Sequence, residues 1–597
     1  MNKLILSFLL LSAVLVGLTG CTDDDNIPTE PTNHIETFQV GLDGGTYVTS
    51  DSLLYLTINA YIFDSTFTLS IAHQNSYPQN PGVVPASCYW LDFGAAEELP
   101  YAQLTLHYAD DQLPEGIEES TLQIHVVAGD GWLPMSSTVD PVTNIVTASV
   151  YSVAGSASFA LIGHGGNILV GDYNVKSTNE IADLAGYEGI TGNLEITLSD
   201  SLSDLSALDS LKWIGGYLAI VGSSDAVYTF GNGFFSLEAI DLYLYLDVPG
   251  MTTAAFPALT AVGGHLQIEG RDLQSLAFPS LTSILGSLRL QHADSLADLS
   301  CFETLTYIGG SLKVMDCDRL RDLRGLENVR NRLIGIEIAQ NNSLLWLHGI
   351  DGIHLLRDDL RIADNPSLLD LSGTCLCEAR GITIVRCKLL TSINGLLTFE
   401  STSLEYGLYL QDLPSLESLY GLQSTVLNGA TVNISMCDIL RSLDGINAPS
   451  ECHHLVLFNN PSLTDISALH TIQKVSGVLF INDNNALTDI DSLYHLTSIG
   501  SDLRITGNEH LTNLDGLSGV GYVGVGPQGG DIFISSNTQL TDLTGLHNLQ
   551  TNPNTGFVIT GEVHIDNNAM GNAAAWEFIE AIGGEEAVRD TIIIESN

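Results

Sequence analysis

Between Leu479 and Leu517 the chain says nearly the same thing twice. Leu479, Ile481, Asn484, Leu487, Ile490 and Leu493 return as Leu503, Ile505, Asn508, Leu511, Leu514 and Leu517, a period of 24 residues. From Asp172 onward the same pattern recurs, with its first apolar strand position at Leu194, Leu218, Leu266, Leu288, Leu312, Ile336, Leu360, Ile382, Leu408, Val432, Leu455, Leu479, Leu503, Ile532, Val563 and Ile592. A degenerate copy lies between Leu242 and Val248. Self-similarity at this interval specifies a solenoid, in which no coil buries its own core and stacking does it.

The spacing inside one repeat dictates the shape of a coil. Leu479 and Ile481 are two apart and share one face of a short strand. From Leu487 apolar residues fall at every third position, through 490, 493, 496 and 499, a step that suits short sides and tight turns with each side chain aimed at the axis. Gly500 and its equivalents Gly216, Gly264, Gly286 and Gly310 supply the corner into the next strand. Successive strands then lie side by side and parallel. Five positions after the strand begins stand Asn341, Asn365, Asn460, Asn484, Asn508, Asn537 and Asn568, and in three coils Cys317, Cys387 and Cys437. An asparagine in a buried turn can bond backbone groups of the neighbouring coil and form a ladder. The three cysteines read as buried structural thiols.

Here the chain resembles a known family. The pattern L-x-I-x-x-N-x-x-L-x-x-L-x-x-L-x-x-I-x-G looks like the receptor L-domain repeat of growth-factor-receptor ectodomains, a right-handed β-helix related to leucine-rich repeats. The resemblance spans roughly Asp172 to Asn597 and implies a surface that binds a ligand or a protein. There are more coils than one L domain holds, and no cysteine-rich module or kinase accompanies them.

The region before the repeats has a different texture. From Ile35 to about Gly163, runs such as YLTINAYI, AQLTLHY, STLQIHVV and IVTASVYS alternate apolar and polar residues between Gly and Pro, as strands of a β-sandwich do. Trp132, Val139-Asp140, Val146-Thr147-Ala148 and Phe159-Ala160-Leu161 loosely resemble the last strands of the sandwich module shared by ankyrins and netrin receptors, which implies contact-making and not catalysis. The fold class is therefore all-β: a sandwich over 35–163, a parallel solenoid over 172–570, and a cap over 571–597, where AAAWEFIEAIGGEEAVRD has helix-forming composition with Trp576, Phe578 and Ile579 available for packing.

The N-terminus reads as an address. Lys3 precedes the apolar run Leu4 to Gly17, and Leu18-Thr19-Gly20-Cys21 follows it. This resembles a bacterial lipoprotein signal over 1–20 and implies that Cys21 carries the acyl chains. Residues 21–34 form an acidic, Pro- and Thr-containing tether. Its start, Thr22-Asp23-Asp24-Asp25, resembles an export signal that places lipoproteins on the outside of some Gram-negative bacteria. The expected location is the outer membrane, surface-exposed, with the lipid as the only membrane attachment.

Charge narrows the partners. Seventy Asp and Glu face 20 Lys and Arg, a formal net of −50. Such a surface repels phosphate backbones and anionic headgroups, so no nucleic acid is expected as a partner. No phosphate loop, H-E-x-x-H or G-x-S-x-G occurs, and no cofactor, metal or catalytic residue is assigned. GHGGN at 163–167 lacks a nucleophile elbow. Cys452-His453-His454 would point to opposite strand faces. Asp204, Asp298, Asp322, Asp370, Asp465, Asp489 and Asp542 form a recurrent column that could attract Ca²⁺, but no D-x-D-x-D-G loop exists, and each is read as closing its own turn.

Function is sought in positions that the repeat leaves free. The first outward position of each strand holds Lys313, Glu337 and Arg361, read as a mutually neutralising ladder, and further along Tyr409, Phe480, Arg504 and Phe533. Aromatic and Arg side chains dominate binding hot spots, so these four are the candidate ligand-binding residues. The expected function is non-catalytic binding of an extracellular protein or glycan through the solenoid. The alternative is an accessory subunit of an outer-membrane nutrient-uptake transporter complex.

Overall fold

A computed structural model describes residues 35–595, except 42, 59–65, 75–82, 85–86, 94–101, 129–130, 136, 151–155, 200–201, 203, 223–227, 231–232, 397–403, 424, 426, 428 and 527–528. Cys21, the signal segment and the tether lie outside the described residues. The chain divides into two compact units, one running to Ala293 and taking in Cys301–Gly310, the other holding Asp294–Ser300 and Ser311–Asn597.

The first unit opens with two antiparallel sheets. One orders six strands as Ile35–Val40, Phe67–His73, Tyr89–Asp92, Ser156–Ile162, Gln123–Ala128 and Gly131–Pro134. The other orders five as Gly45–Val48, Leu54–Ile58, Ala102–His107, Ile145–Val150 and Ser137–Asp140. Strict alternation places Leu54, Leu56, Leu104, Leu106 and Phe159 in one core cluster, each at 0% exposure. More strands form than the sequence runs suggest, because short segments such as Ser137–Asp140 pair as edges without an apolar signature of their own.

The same unit carries the first coils. Strands Tyr173–Val175, Leu194–Thr197, Leu218–Val221, Leu244–Asp247, Leu266–Glu269 and Leu288–Gln291 pair in parallel and in register. A second ladder of two-residue strands runs from Ile168–Leu169 to Tyr307–Ile308. Inside, Phe234, Phe256, Phe278 and Phe302 stack at 5.1, 5.4 and 5.6 Å between ring centroids, one ring per coil.

The second unit is a ladder of twelve parallel strands, from Leu312–Met315 to Ile592–Glu595. Leu479 and Ile481 are fully buried and Phe480 lies half-buried on the outer side. The three-residue apolar step has a simple cause. Segments such as Asp491–Leu493, Asp515–Leu517 and Thr544–Leu546 are 3-10 turns, whose period is three residues. The aspartate column sets them: the backbone N–H of Ser467 bonds Asp465 Oδ1 at 2.8 Å and that of Thr544 bonds Asp542 Oδ1 at 3.0 Å. Gly500 is required by proximity, not by a special dihedral. A Cβ there would sit 1.9 Å from the Ser476 carbonyl oxygen of the coil beneath.

The asparagines stitch coils together. Asn484 Oδ1 accepts the backbone N–H of Asn460 at 3.2 Å, and its Nδ2 donates to the Leu457 carbonyl at 2.9 Å. The same pattern links Asn484 to Asn508, Asn508 to Asn537 and Asn537 to Asn568. Cys437 begins this run by donating its N–H to Asn460 Oδ1, and Cys317 begins a shorter one at Asn341 that continues to Asn365. Burial pushes the Cys387 and Cys437 thiols up to about 12.

The residue just before the ladder position is left-handed in coil after coil, as at Gln340 (φ 59°), Asp364 (56°), Met436 (56°) and Asp483 (55°). The left-handed region is strained for an L residue by about 1–2 kcal/mol and tolerated best by Gly, Asn and Asp. Gln340→Gly removes that strain at an exposed position and loses part of the gain to chain entropy, so a stabilisation of about 0.5–1 kcal/mol is expected. Asp483→Gly should be near neutral. Denaturant midpoints of the two variants against the parent chain check both.

The C-terminal helix Gly571–Ala581 buries Ala575, Phe578 and Ile579, while Trp576 points outward at 37% exposure and does not join the packing. The strand Ile592–Glu595 then closes the ladder on Val563–Asp566.

Candidate functional site

The outward face of the second unit separates into charged and aromatic stretches. Glu337 lies between Lys313 at 2.8 Å and Arg361 at 3.4 Å on registered strands, so these three neutralise one another. Partial exposure leaves each pair modest in energy.

Further along, register places Val456 beside Phe480, Phe480 beside Arg504, Arg504 beside Phe533 and Phe533 beside His564. The sheet therefore brings three of the four candidates onto adjacent strands. Tyr409 shares the row, but Asn433 and Val456 stand between it and Phe480. Three strand spacings put it about 14 Å away.

Geometry within the cluster is specific. The Arg504 guanidinium lies over the Phe533 ring, 4.7 Å from its centroid. It also donates to Asp502 Oδ2 through Nη2 at 2.7 Å and Nε at 3.1 Å. Two partners hold the cation flat and leave its remaining edge to solvent. Phe458 packs on Phe480 with ring centroids 6.0 Å apart. Phe533 meets the His564 ring at 5.8 Å, and His564 Nε2 is 3.4 Å from Asp566 Oδ1. Val456, Phe458, Phe480, Arg504 and Phe533 are all half-buried. They form an apolar strip with one fixed cation, bordered by Asn433, Asn482 and Thr506.

Phe458, Asp502 and His564 belong to this cluster, although the row of first outward positions gives no sign of Phe458 and Asp502. In a strand, residues two apart share a face. Reading the rows on either side of the first outward position is the signal that finds them. Asp502 does more: its Oδ1 accepts the N–H of Asp531 at 3.1 Å, and Asp531 Oδ1 accepts that of Glu562 at 2.8 Å. A second coil-to-coil ladder thus runs along the edge of the aromatic face and fixes the anchor of Arg504.

Other candidate chemistry resolves into structure. His454 Nδ1 accepts the N–H of Val478 at 2.9 Å, burial lowers its basicity, and the adjacent Cys452 thiol is pushed up to about 12. His164 of the GHGGN stretch lies with its ring on Trp213. Among the described residues no three His, Cys, Asp or Glu side chains are grouped as a metal ion requires, and no helix is long and apolar enough to cross a membrane.

Comparison with known proteins gives one family. Residues 260–372 match the model of the family described as Receptor L domain. No curated protein matches the chain. The family points in general to a ligand-binding surface. The matched stretch covers the Lys313–Glu337–Arg361 ladder and ends before Tyr409, so the aromatic cluster stands on coils beyond it.

The ladder beneath the cluster makes it rigid. Replacing Asn484 by Ala leaves the Asn460 N–H buried without its acceptor, at about 1–3 kcal/mol, and removes a further bond to the Leu457 carbonyl. Asn484→Ala is therefore expected to destabilise by about 2–4 kcal/mol in denaturant titration, with the loss of amide protection centred on the coils at Asn460 and Asn484.

Proposed function

We propose that this chain is a surface lipoprotein, held in the outer membrane by acyl chains on Cys21, that binds an extracellular protein or glycan through the aromatic face of its solenoid. The observation that carries this reading is the Phe458–Phe480–Arg504–Phe533 cluster. The repeat needs Leu, Ile and Asn at fixed positions to stack its coils. It does not need rings and an immobilised cation on the outer side, where charged and small polar residues would solvate equally well. Half-exposed aromatic rings beside a pre-oriented Arg are the composition of a hot spot. Holding Arg504 with Asp502 and Phe533 before a ligand arrives removes part of the ordering cost of association. The receptor L-domain match supports the same class of role for a solenoid surface.

The reading is tested by presenting purified residues 22–597 to arrays of glycans and extracellular proteins, then repeating the hit with Phe480→Ala, Arg504→Ala and Phe533→Ala. Each substitution should weaken binding at least tenfold, about 1.4 kcal/mol, while leaving the melting transition in place. Tyr409→Ala should have a smaller effect because of its distance. Unchanged affinity in all three cluster variants would remove the face from the account. Separately, Cys21→Ala should shift the protein from the membrane fraction to the soluble one, since acyl burial contributes about 0.8 kcal/mol per methylene.

A further inference from the structure

The first unit has a polar joint where its antiparallel sheets meet its first coils. Gln123 and His125 stand on the strand Gln123–Ala128, and His164 follows the strand Ser156–Ile162. The His164 ring stacks on the Trp213 indole with centroids 4.4 Å apart and planes inclined by 18°. Trp213 Nε1 donates to Asp241 Oδ2 at 2.6 Å. The Gln123 side chain hydrogen-bonds the same carboxyl. Two side chains of the sheets thus grip an indole–carboxyl pair on the coils. Asp241 is 0% exposed, Trp213 3% and Gln123 6%.

The donor and acceptor tally of this joint does not close with an ionised carboxylate. The partners of Asp241 are an indole and an amide, both neutral. Asp241 Oδ1, Gln123 Oε1 and His164 Nε2 are buried and find no partner among the described residues. All three accept hydrogen bonds when the carboxyl is ionised and His164 carries its proton on Nδ1. A buried charge with neutral partners is costly, and the usual outcome is that the group takes up a proton.

We propose that the joint is a proton-gated latch: Asp241 in its neutral acid form docks the sandwich on the first coils, and loss of that proton releases it. A proton on Oδ1 removes the buried charge and turns one of three unmatched acceptors into a donor. Release leaves Gly165–Gly166 as the hinge, between His164, bonded to Thr121 on the sandwich side, and Asn167, whose carbonyl accepts the Glu188 N–H on the coil side.

The pH window follows from the groups at the joint. Burial pushes the Asp241 carboxyl up to about 8, from an ordinary value of about 4. Burial also pushes His125 down to about 3 and His164 down to about 4. On the coil side the charges nearest the joint among the described residues are Glu188, paired with Lys212 at 2.9 Å, and the exposed Glu238, which also acts on Lys212. Above about pH 6.5 both histidines are neutral docked or released, so Asp241 alone sets the balance. The docked form keeps its proton up to about pH 8, while the released form has already lost it. Docking therefore weakens about tenfold for each pH unit between about 6.5 and 8, and not further above that. Below about pH 6.5 the histidines gain protons only on release, which opposes the carboxyl and ends the window.

Hydrogen exchange of the chain 22–597 across this window, corrected for the intrinsic pH dependence of exchange, tests the latch. Protection at Gln123–His125 and Trp213–Asp241 should fall about tenfold per pH unit, while the sandwich core at Leu54–Ile58 keeps its protection. Asp241→Asn, which keeps an acceptor for Trp213 and can never ionise, should hold the joint closed throughout. Flat protection of the joint in the unsubstituted chain overturns the proposal without any variant. The same slope in Asp241→Asn overturns it as well.

Discussion

The structure of the second unit depends on one contact: a buried asparagine that accepts a backbone N–H and donates to a backbone carbonyl of the coil before it. A parallel strand satisfies its own backbone through its neighbours, but the turn that ends it does not. The chain leaves each strand through a left-handed residue, which turns the next N–H away from the ladder and into the interior. Asn460, Asn484, Asn508, Asn537 and Asn568 satisfy these groups coil by coil. Leucines can then fill the axis at 0% exposure without stranding a polar atom beside them. Where the column carries Cys, the thiol accepts less and the run starts or stops, as at Cys317, Cys387 and Cys437.

That contact also explains where function can reside. Stacking fixes the strand's inward residues, the asparagine, the leucines of the 3-10 turn and the corner glycine. The outer positions of the strand remain unconstrained. Between Val456 and His564 they hold rings, a cation and small polar groups on strands whose spacing the ladders below and beside them enforce. Asp502 belongs to both systems: one carboxylate oxygen bonds the next coil and the other holds Arg504. The proposed binding face is therefore built into the scaffold and not laid over it.

The repeat, its period and its fold class were legible because stacking imposes strict chemistry on inward positions, and inward positions are most of what recurs. The 3-10 turns were legible only as a three-residue step, which period alone assigns to a tight turn without saying which. The left-handed residue was visible as Asp, Asn or Gly before the ladder position, and hidden in the coils that place Gln340, Arg386 or Met436 there. Of the candidate face, Phe480, Arg504 and Phe533 could be found because one row was followed along the strands. Phe458 and Asp502 belong to rows on either side of it and share the face through strand geometry. The Trp213–Asp241 joint could not be read at all, since its residues lie ninety or more positions from Gln123 and carry no periodic signal.

The outer strand face between Val456 and His564 is the proposed seat of the ligand. Photo-crosslinking of the purified chain to its ligand reports this most directly, with a photoreactive residue installed at Thr506 on the face or at Ser492 in the 3-10 turn Asp491–Leu493. The account predicts ligand-dependent crosslinks from Thr506 and none from Ser492. Crosslinks from Ser492 alone would contradict it.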